Sequence, residues 1–437
     1  MTQHRPPLSQ ALCFHSHGIR ANLAQIVQQL IQVFLVGLTL GMTRTVVPGL
    51  AESEFGLAAQ AFMSLALFVV VFGLVKALMN LLAGHLSDRF GRRRLLVVGW
   101  LLAIPVPLLI FYAQSWAWIL WAMLFLGLNQ GLCWSMALNS KLDLARADQK
   151  GLINGFNEFA GYAAVGLAGW VSAYLAELFG ARDALLGFGL AVIGLGLLLA
   201  LWKVIDTHPW SKLHQQNHQA AQAEKSEAVN HHAVSLKAMM VYATFKQPQL
   251  VALNQAGLVE KFVDALVWVF MPVYLLSQSQ SLVQASAIIA VYGVVWGASQ
   301  LVTGPLSDKV GRRGLIASGF WLCGVTSLAF VWVETAWAWT LLAALMGLGM
   351  AMLYPTLGAA VADVAEPKSR ASILGIYRFW RDFGYAAGAL MMGVLAYYSE
   401  SVIGPFYLVG AMMLLSGLWV WFALKPNTTE PPKRFES

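Results

Sequence analysis

Long apolar runs separated by short polar breaks set the pattern of this chain. Windows of about 20 apolar residues, the length that crosses a bilayer as a helix, fall at roughly 26–48, 60–83, 95–113, 116–139, 152–175, 184–205, 250–275, 284–303, 315–333, 337–361, 372–397 and 403–424. The pattern predicts twelve transmembrane helices. One interval differs in kind. Residues 206–247, including "HQQNHQAAQAEKSEAVNHHA", are polar and without sustained apolar periodicity. They divide the chain into a segment 1–25, a six-helix bundle 26–205, a linker 206–247, a second bundle 248–425 and a tail 426–437. The linker histidines His214, His218, His231 and His232 are spaced loosely enough that a solvated linker explains them better than a metal site, and no metal is expected.

The two bundles are related. "GHLSDRFGRRRL" at 84–95 returns as "GPLSDKVGRRGL" at 304–315, an offset of 220 that also links Gly73 with Gly293, Lys150 with Arg370 and Gly155 with Gly375. Such an internal duplication is common in transporter folds. Composition agrees: 58% of residues are hydrophobic and 11% charged, against about 45–50% and about 25% in soluble domains. The expected fold is an all-α membrane protein of two pseudo-symmetric six-helix bundles.

Charge changes the picture only through its placement. With the N-terminus inside, the outer loops keep only Arg182 of the 28 Lys and Arg, and five more lie within spans. The rest fall on one side, which predicts cytoplasmic termini and removes the nucleic-acid reading of the net charge of +7. Cys13, Cys133 and Cys323 show no paired spacing, so neither a disulfide framework nor a zinc site is expected. The N-terminus lacks the pattern of a cleavable signal, leaving the first span as the targeting element.

The motif G-x-L-S-D-[RK]-x-G-R-R, present twice, resembles the signature loop of the major facilitator superfamily (MFS), and the resemblance covers about 400 residues. Physically, Gly84 permits close helix approach, Gly91 a tight turn, and Asp88 accepts hydrogen bonds at a helix end, while Arg92, Arg93 and Arg94 stay among the headgroups. The resemblance implies a gating role for Gly84, Asp88, Arg89, Gly91, Arg92 and Arg93, and for Gly304, Asp308, Lys309, Gly311, Arg312 and Arg313 in the second half. It further implies a monomer whose halves rock about a central solute site. No nucleotide or other cofactor enters that scheme, and no phosphate loop of the G-x-x-x-x-G-K-[ST] type is present.

Nine ionisable residues fall inside the spans: Arg44, Lys76, Glu158, Glu260, Lys261, Asp264, Arg378, Arg381 and Asp382. Charges at bilayer depth are costly and mark pathways, relays or ion pairs. By helix rise, Arg381 lies about 14 Å, Lys76 about 12 Å and Glu260 about 15 Å into their spans. "GFNEFAGYAAVG" and "RFWRDFGYAAG" align so that Glu158 stands opposite Arg381 or Arg378, an acid against a base in either register. Other placements remain open: Arg378 with Asp88 at the gate, Lys261 with Asp264 as a local ion pair, and Arg44 reaching to the outer headgroups.

Five bases against four acids suggest an anionic solute, because Arg offers planar recognition of carboxylate or phosphate. Glu158 and Glu260 are the expected proton carriers. "GLNQGLCWS" adds Asn129, Gln130 and Trp134 to the pathway, and "GMAMLYPT" adds Tyr354, equivalent to Trp134 at the 220 offset. The sequence thus reads as a multi-pass secondary transporter, proton-coupled, in a bacterial inner membrane. Multidrug efflux is the alternative. It is weakened because Gly127 stands where drug exporters of the family carry an Arg, and because "GYAAVGLAGW" lacks their Gly-Pro. A solute sensor is disfavoured by the absence of a signalling domain. An enzyme is disfavoured because neither HExxH nor GxSxG is present.

Overall fold

The computed structural model describes residues 16–55, 62–146, 149–213, 236–366 and 369–425. The linker histidines named above and the rest of 214–235 lie outside these, as does the side chain of Asp308.

The first half comprises α1 (Leu23–Ser53), α2 (Phe62–Phe90), α3 (Arg92–Phe111), α4 (Trp116–Leu144), α5 (Lys150–Phe179) and α6 (Ala181–Trp202). The second comprises α7 (Pro248–Ser277), α8 (Leu282–Val310), α9 (Arg312–Phe330), α10 (Ala336–Val364), α11 (Arg370–Ser399) and α12 (Gly404–Ala423). Ten of the twelve are apolar enough to cross a membrane by composition as well as length. The other two, α7 and α11, are each 30 residues long and carry the Glu260–Asp264 and Arg378–Asp382 charges.

The helices outrun their apolar windows at the motif loops. Helix α2 continues through the motif to Phe90 and α8 to Val310. Each chain reversal is made by one glycine in the left-handed region, Gly91 at φ 88° and Gly311 at φ 92°, where a side chain would be strained. Gly84 does not serve as the sequence suggested: it is exposed, and nothing lies within 4 Å of where its Cβ would stand.

Packing repeats between the halves. Helix α1 packs on α5 as α7 does on α11, and α4 receives α2 and α3 as α10 receives α8 and α9. The halves meet along α2 with α11 and α5 with α8. Small residues set these approaches: a Cβ on Gly73 would stand 2.7 Å from Ala386 N, and one on Gly293 would stand 3.0 Å from the Gly166 Cα. Association in lipid relies on such backbone proximity, since apolar burial gives no gain there.

The two motif arginines also correspond. Arg92 Nε pairs with Asp143 Oδ2 at 3.2 Å, and Arg312 Nε pairs with Asp363 Oδ2 at 3.1 Å. Arg93 donates to the Ala200 and Leu201 carbonyls of α6, while its counterpart Arg313 stacks on Trp421 of α12 at 4.1 Å. The exposed Arg89 lies 5.2 Å from the Phe90 ring, and Lys309 is exposed.

The first loop has an added clasp from the start of the linker. Asp206 Oδ1 accepts from Arg92 N at 3.1 Å, and Thr207 Oγ1 donates to Asp143 at 2.8 Å. His208 Nδ1 lies 3.1 Å from Arg92 Nη1, and Nε2 lies 3.0 Å from the Asp88 carbonyl. Neutral imidazole protonated at Nε2 satisfies both contacts. Burial and the Arg92 and Lys212 charges hold the His208 pKa below its ordinary 6.5, outweighing Asp206 and Asp88. The contribution of this contact is therefore complete above pH 6.5 and is lost as pH falls below it. Hydrogen-exchange protection at residues 206–213, taken relative to the intrinsic exchange rate at each pH, is expected to fall from about pH 8 to about pH 5.5, and His208→Gln should remove that dependence.

Candidate functional site

Two groups of buried charges occupy the centre of the molecule, and they differ in balance. The first closes the end opposite the motif loops. Arg44 of α1 donates through Nη1 and Nη2 to both oxygens of Asp264 on α7, at 2.6 and 3.0 Å, a bidentate pair of the strongest kind. The Tyr385 hydroxyl of α11 donates to Asp264 Oδ2, and the Trp268 ring lies 5.1 Å from the guanidinium. Lys261 Nζ stands 3.3 Å from Glu260 Oε1 and 3.9 Å from Asp264 Oδ2. Its ammonium sits among the Tyr354, Trp296, Tyr385 and Tyr162 rings at 4.6, 4.7, 5.3 and 5.5 Å. Two bases face two acids, all buried, so with every group ionised the group is neutral. Phe68 and Phe72 of α2 pack edge-on against Trp268 at 5.5 and 4.8 Å and continue the seal between the halves.

The second group lines a cavity of about 590 Å³. Lys150, Gly151 and Arg312, at the first turns of α5 and α9, place its mouth at the motif end. Deeper in stand Lys76, Trp134, Glu158, Tyr354, Tyr377 and Arg381, with Arg378 one helical turn nearer the mouth. Arg381 Nε and Nη2 donate to the buried Asp382 at 3.2 and 3.3 Å, and Asn80 donates to the same carboxylate. The Arg381 guanidinium lies 4.6 Å from the Tyr354 ring. Glu158 Oε1 accepts from Asn157 at 2.7 Å and from Trp134 Nε1 at 3.3 Å, leaving Oε2 without a hydrogen-bond partner among the described residues.

Lys76 is the unbalanced member. Its ammonium lies 5.2, 5.6 and 5.7 Å from the Tyr385, Phe72 and Trp134 rings, and among the described residues no carboxylate comes within ion-pair distance of it. With every group ionised, Lys76, Arg378 and Arg381 stand against Glu158 and Asp382. Together these five carry one positive charge in excess, and buried charges left unpaired are unusual outside functional sites.

Several sequence candidates sit elsewhere. Asn129 and Gln130 turn away from the cavity and tie α4 to its neighbours, Asn129 Nδ2 donating to the Gly99 carbonyl at 3.0 Å and Gln130 Nε2 to the Val36 carbonyl at 2.9 Å. Glu260, Lys261, Asp264 and Arg44 belong to the closed group and not to the cavity lining. Arg44 does not reach for headgroups, and Arg378 faces the cavity while Asp88 pairs with Arg92 at 3.0 Å. Asn80, Tyr162, Trp268, Tyr377 and Tyr385 are not marked by the sequence, and neither is Lys141. Lys141 lies wholly buried in the last turn of α4 and donates to the Gln29 carbonyl at 3.1 Å. Among the described residues no three His, Cys, Asp or Glu gather as metal ligands.

Two six-helix bundles with a charged cavity lined from both halves are the architecture of a membrane transporter. The family model of the Major Facilitator Superfamily matches residues 30–252 and 256–437, and the chain belongs to that family. It is 31% identical over 125 residues to the uncharacterized MFS-type transporter YfkF of Bacillus subtilis, a match spanning 29% of this chain and 31% of that relative. It is 34% identical over 110 residues to the methyl viologen resistance protein SmvA of Salmonella typhimurium, covering 25% and 22% of the two chains. A longer match, 23% identical over 354 residues, reaches 78% of this chain and 81% of the class E tetracycline resistance protein of Escherichia coli.

Proposed function

We propose that this protein carries a small organic anion across the bacterial inner membrane by alternating access, with both termini in the cytoplasm. The excess of Lys76, Arg378 and Arg381 over Glu158 and Asp382 carries this reading. In the proposed orientation the structure is inward-facing, with the cavity open to the cytoplasm and the Arg44–Asp264 group sealing the outer side. An anion entering beside Lys76 and Arg381 supplies the missing counter-charge. The binding site is thereby completed by the cargo itself.

Coupling to protons is assigned to Glu158, the carboxylate that lines the cavity with one oxygen free. A proton on Glu158 together with one bound monoanion leaves the cavity charge as it was when empty. The loaded and empty carriers then cross between states with the same charge, a condition that suits cotransport. In proteoliposomes, Glu158→Gln is expected to keep solute exchange and to lose accumulation driven by a pH gradient. Undiminished accumulation by the variant would remove Glu158 from the coupling step.

The names of the tetracycline and methyl viologen resistance relatives favour a second reading, efflux of drug-like compounds, and the aromatic lining of the cavity suits it. Thermal unfolding of the purified protein separates the two. A ligand at about 100 times its Kd stabilises a native state by about 2.7 kcal/mol. Succinate or benzoate should raise the midpoint, and glucose and tetraphenylphosphonium should not. Stabilisation by tetraphenylphosphonium alone would make efflux the better account.

A further inference from the structure

The cavity's charge sits in an aromatic frame, and the frame restricts the shape of the cargo. Each deep cation stands beside a ring that lines the cavity: Lys76 Nζ is 5.7 Å from the Trp134 centroid, and the Arg381 guanidinium is 4.6 Å from that of Tyr354. Both rings rest on Tyr162, each 5.4 Å away between centroids, and Tyr162 stacks in turn on Trp296 at 3.6 Å. Trp134 is fixed further by its bond to Glu158 and by the edge of its ring against Gly161, where any Cβ would collide with it. The two lining rings are therefore rigid walls, supported from behind by a continuous aromatic row that joins the halves.

Resting on the anion reading above, we infer that the cargo class is the flat aromatic monocarboxylate. One carboxylate matches the single uncompensated charge. A second would need a further unpaired base, and the other cations of the lining, Lys150 and Arg312, stand at the mouth, with Arg312 paired to Asp363. An unsaturated ring can lie against Trp134 or Tyr354 in the offset or edge-on geometries that aromatic pairs prefer. A saturated ring of the same charge and similar size lacks that interaction. The volume of about 590 Å³ falls within the range of small-molecule sites, which bury most of the ligand they hold.

The test compares benzoate with cyclohexanecarboxylate by ligand-induced thermal stabilisation of the full-length protein in detergent, with phthalate and benzyltrimethylammonium alongside. Benzoate should bind about 5-fold more tightly than cyclohexanecarboxylate, the order expected of one aromatic contact, and phthalate no more tightly than benzoate. Trp134→Leu should bring the two monocarboxylates within about twofold of each other, and Trp134→Phe should restore the preference. Equal binding of both acids by the native protein overturns the aromatic class and leaves the anion reading standing. Tighter binding of phthalate overturns the single-charge argument. A response to benzyltrimethylammonium, with none to any acid, overturns both this inference and the anion reading. The comparison on the native protein decides the matter even if the Trp134 variants fold poorly.

Discussion

Asp264→Ala is expected to abolish transport and to lower stability by about 3–5 kcal/mol, the range for breaking a buried ion pair from one side. The loss exceeds that of one hydrogen bond because Arg44 remains behind. The Asp264 carboxylate takes two bonds from Arg44, one from Tyr385, and stands 3.9 Å from Lys261. Removing it leaves a buried guanidinium and an ammonium to share the single charge of Glu260. Arg44→Ala should be less damaging, since Asp264 keeps the Tyr385 bond, whereas Arg44 has no hydrogen-bond partner but Asp264 among the described residues. The double variant Arg44→Leu/Asp264→Leu should recover most of the stability and none of the regulated opening, because an apolar pair seals without a charge to separate. Denaturation in detergent reports the first quantity, and labelling of a cysteine placed at the outer end of α1 reports the second. Stability of Asp264→Ala within about 1 kcal/mol of the native protein would show that the pair contributes little to the closed end.

The position of this pair bears on what a sequence can reveal. The apolar windows foretold twelve helices because span length is set by the bilayer, and the repeated motif foretold the two halves. The motif turns were legible as well, since only glycine suits the backbone at Gly91 and Gly311. The pairing of Arg44 with Asp264 was not read, although its signal was present: 264 and 44 differ by the same 220 that separates the motifs. The two residues hold equivalent places in the two halves and meet across the pseudo-twofold axis, so an acid in one repeat answers a base in the other. Applying the offset to the buried charges, and not only to the motifs, would have found it. No comparable signal separates Asn129 and Gln130 from the cavity. Amide residues on a membrane helix line water or bond neighbouring helices with the same periodicity, and only the direction of the side chain decides. The clasp of Asp206, Thr207 and His208 was hidden for a different reason. Its partners Arg92 and Asp143 lie more than 60 residues away in a segment that reads as solvated linker.

Lys76→Gln should act in opposite directions on function and stability. Its ammonium has no ion-pair partner among the described residues, so replacing it orphans no carboxylate. Asp382 keeps Arg381 and Asn80, and Glu158 keeps Trp134 and Asn157. The substitution removes a buried charge whose desolvation no ion pair or hydrogen bond among the described residues offsets, only the more distant attraction of Asp382. The variant is therefore expected to be more stable than the native protein by roughly 0.5–2 kcal/mol, as when a strained functional residue is relieved. Anion affinity should fall on the order of 30-fold, the worth of one charge-assisted contact of about 2 kcal/mol. Unfolding midpoints with and without benzoate measure both effects on one sample. A variant less stable than the native protein would mean that Lys76 has a structural counter-charge, and the cargo would no longer be needed to supply it. Unchanged affinity would move the anion site toward Arg378 at the mouth. The contrast with Asp264→Ala is the main consequence of the two charge groups: the neutral one holds the molecule closed, and the unbalanced one is left incomplete for the solute.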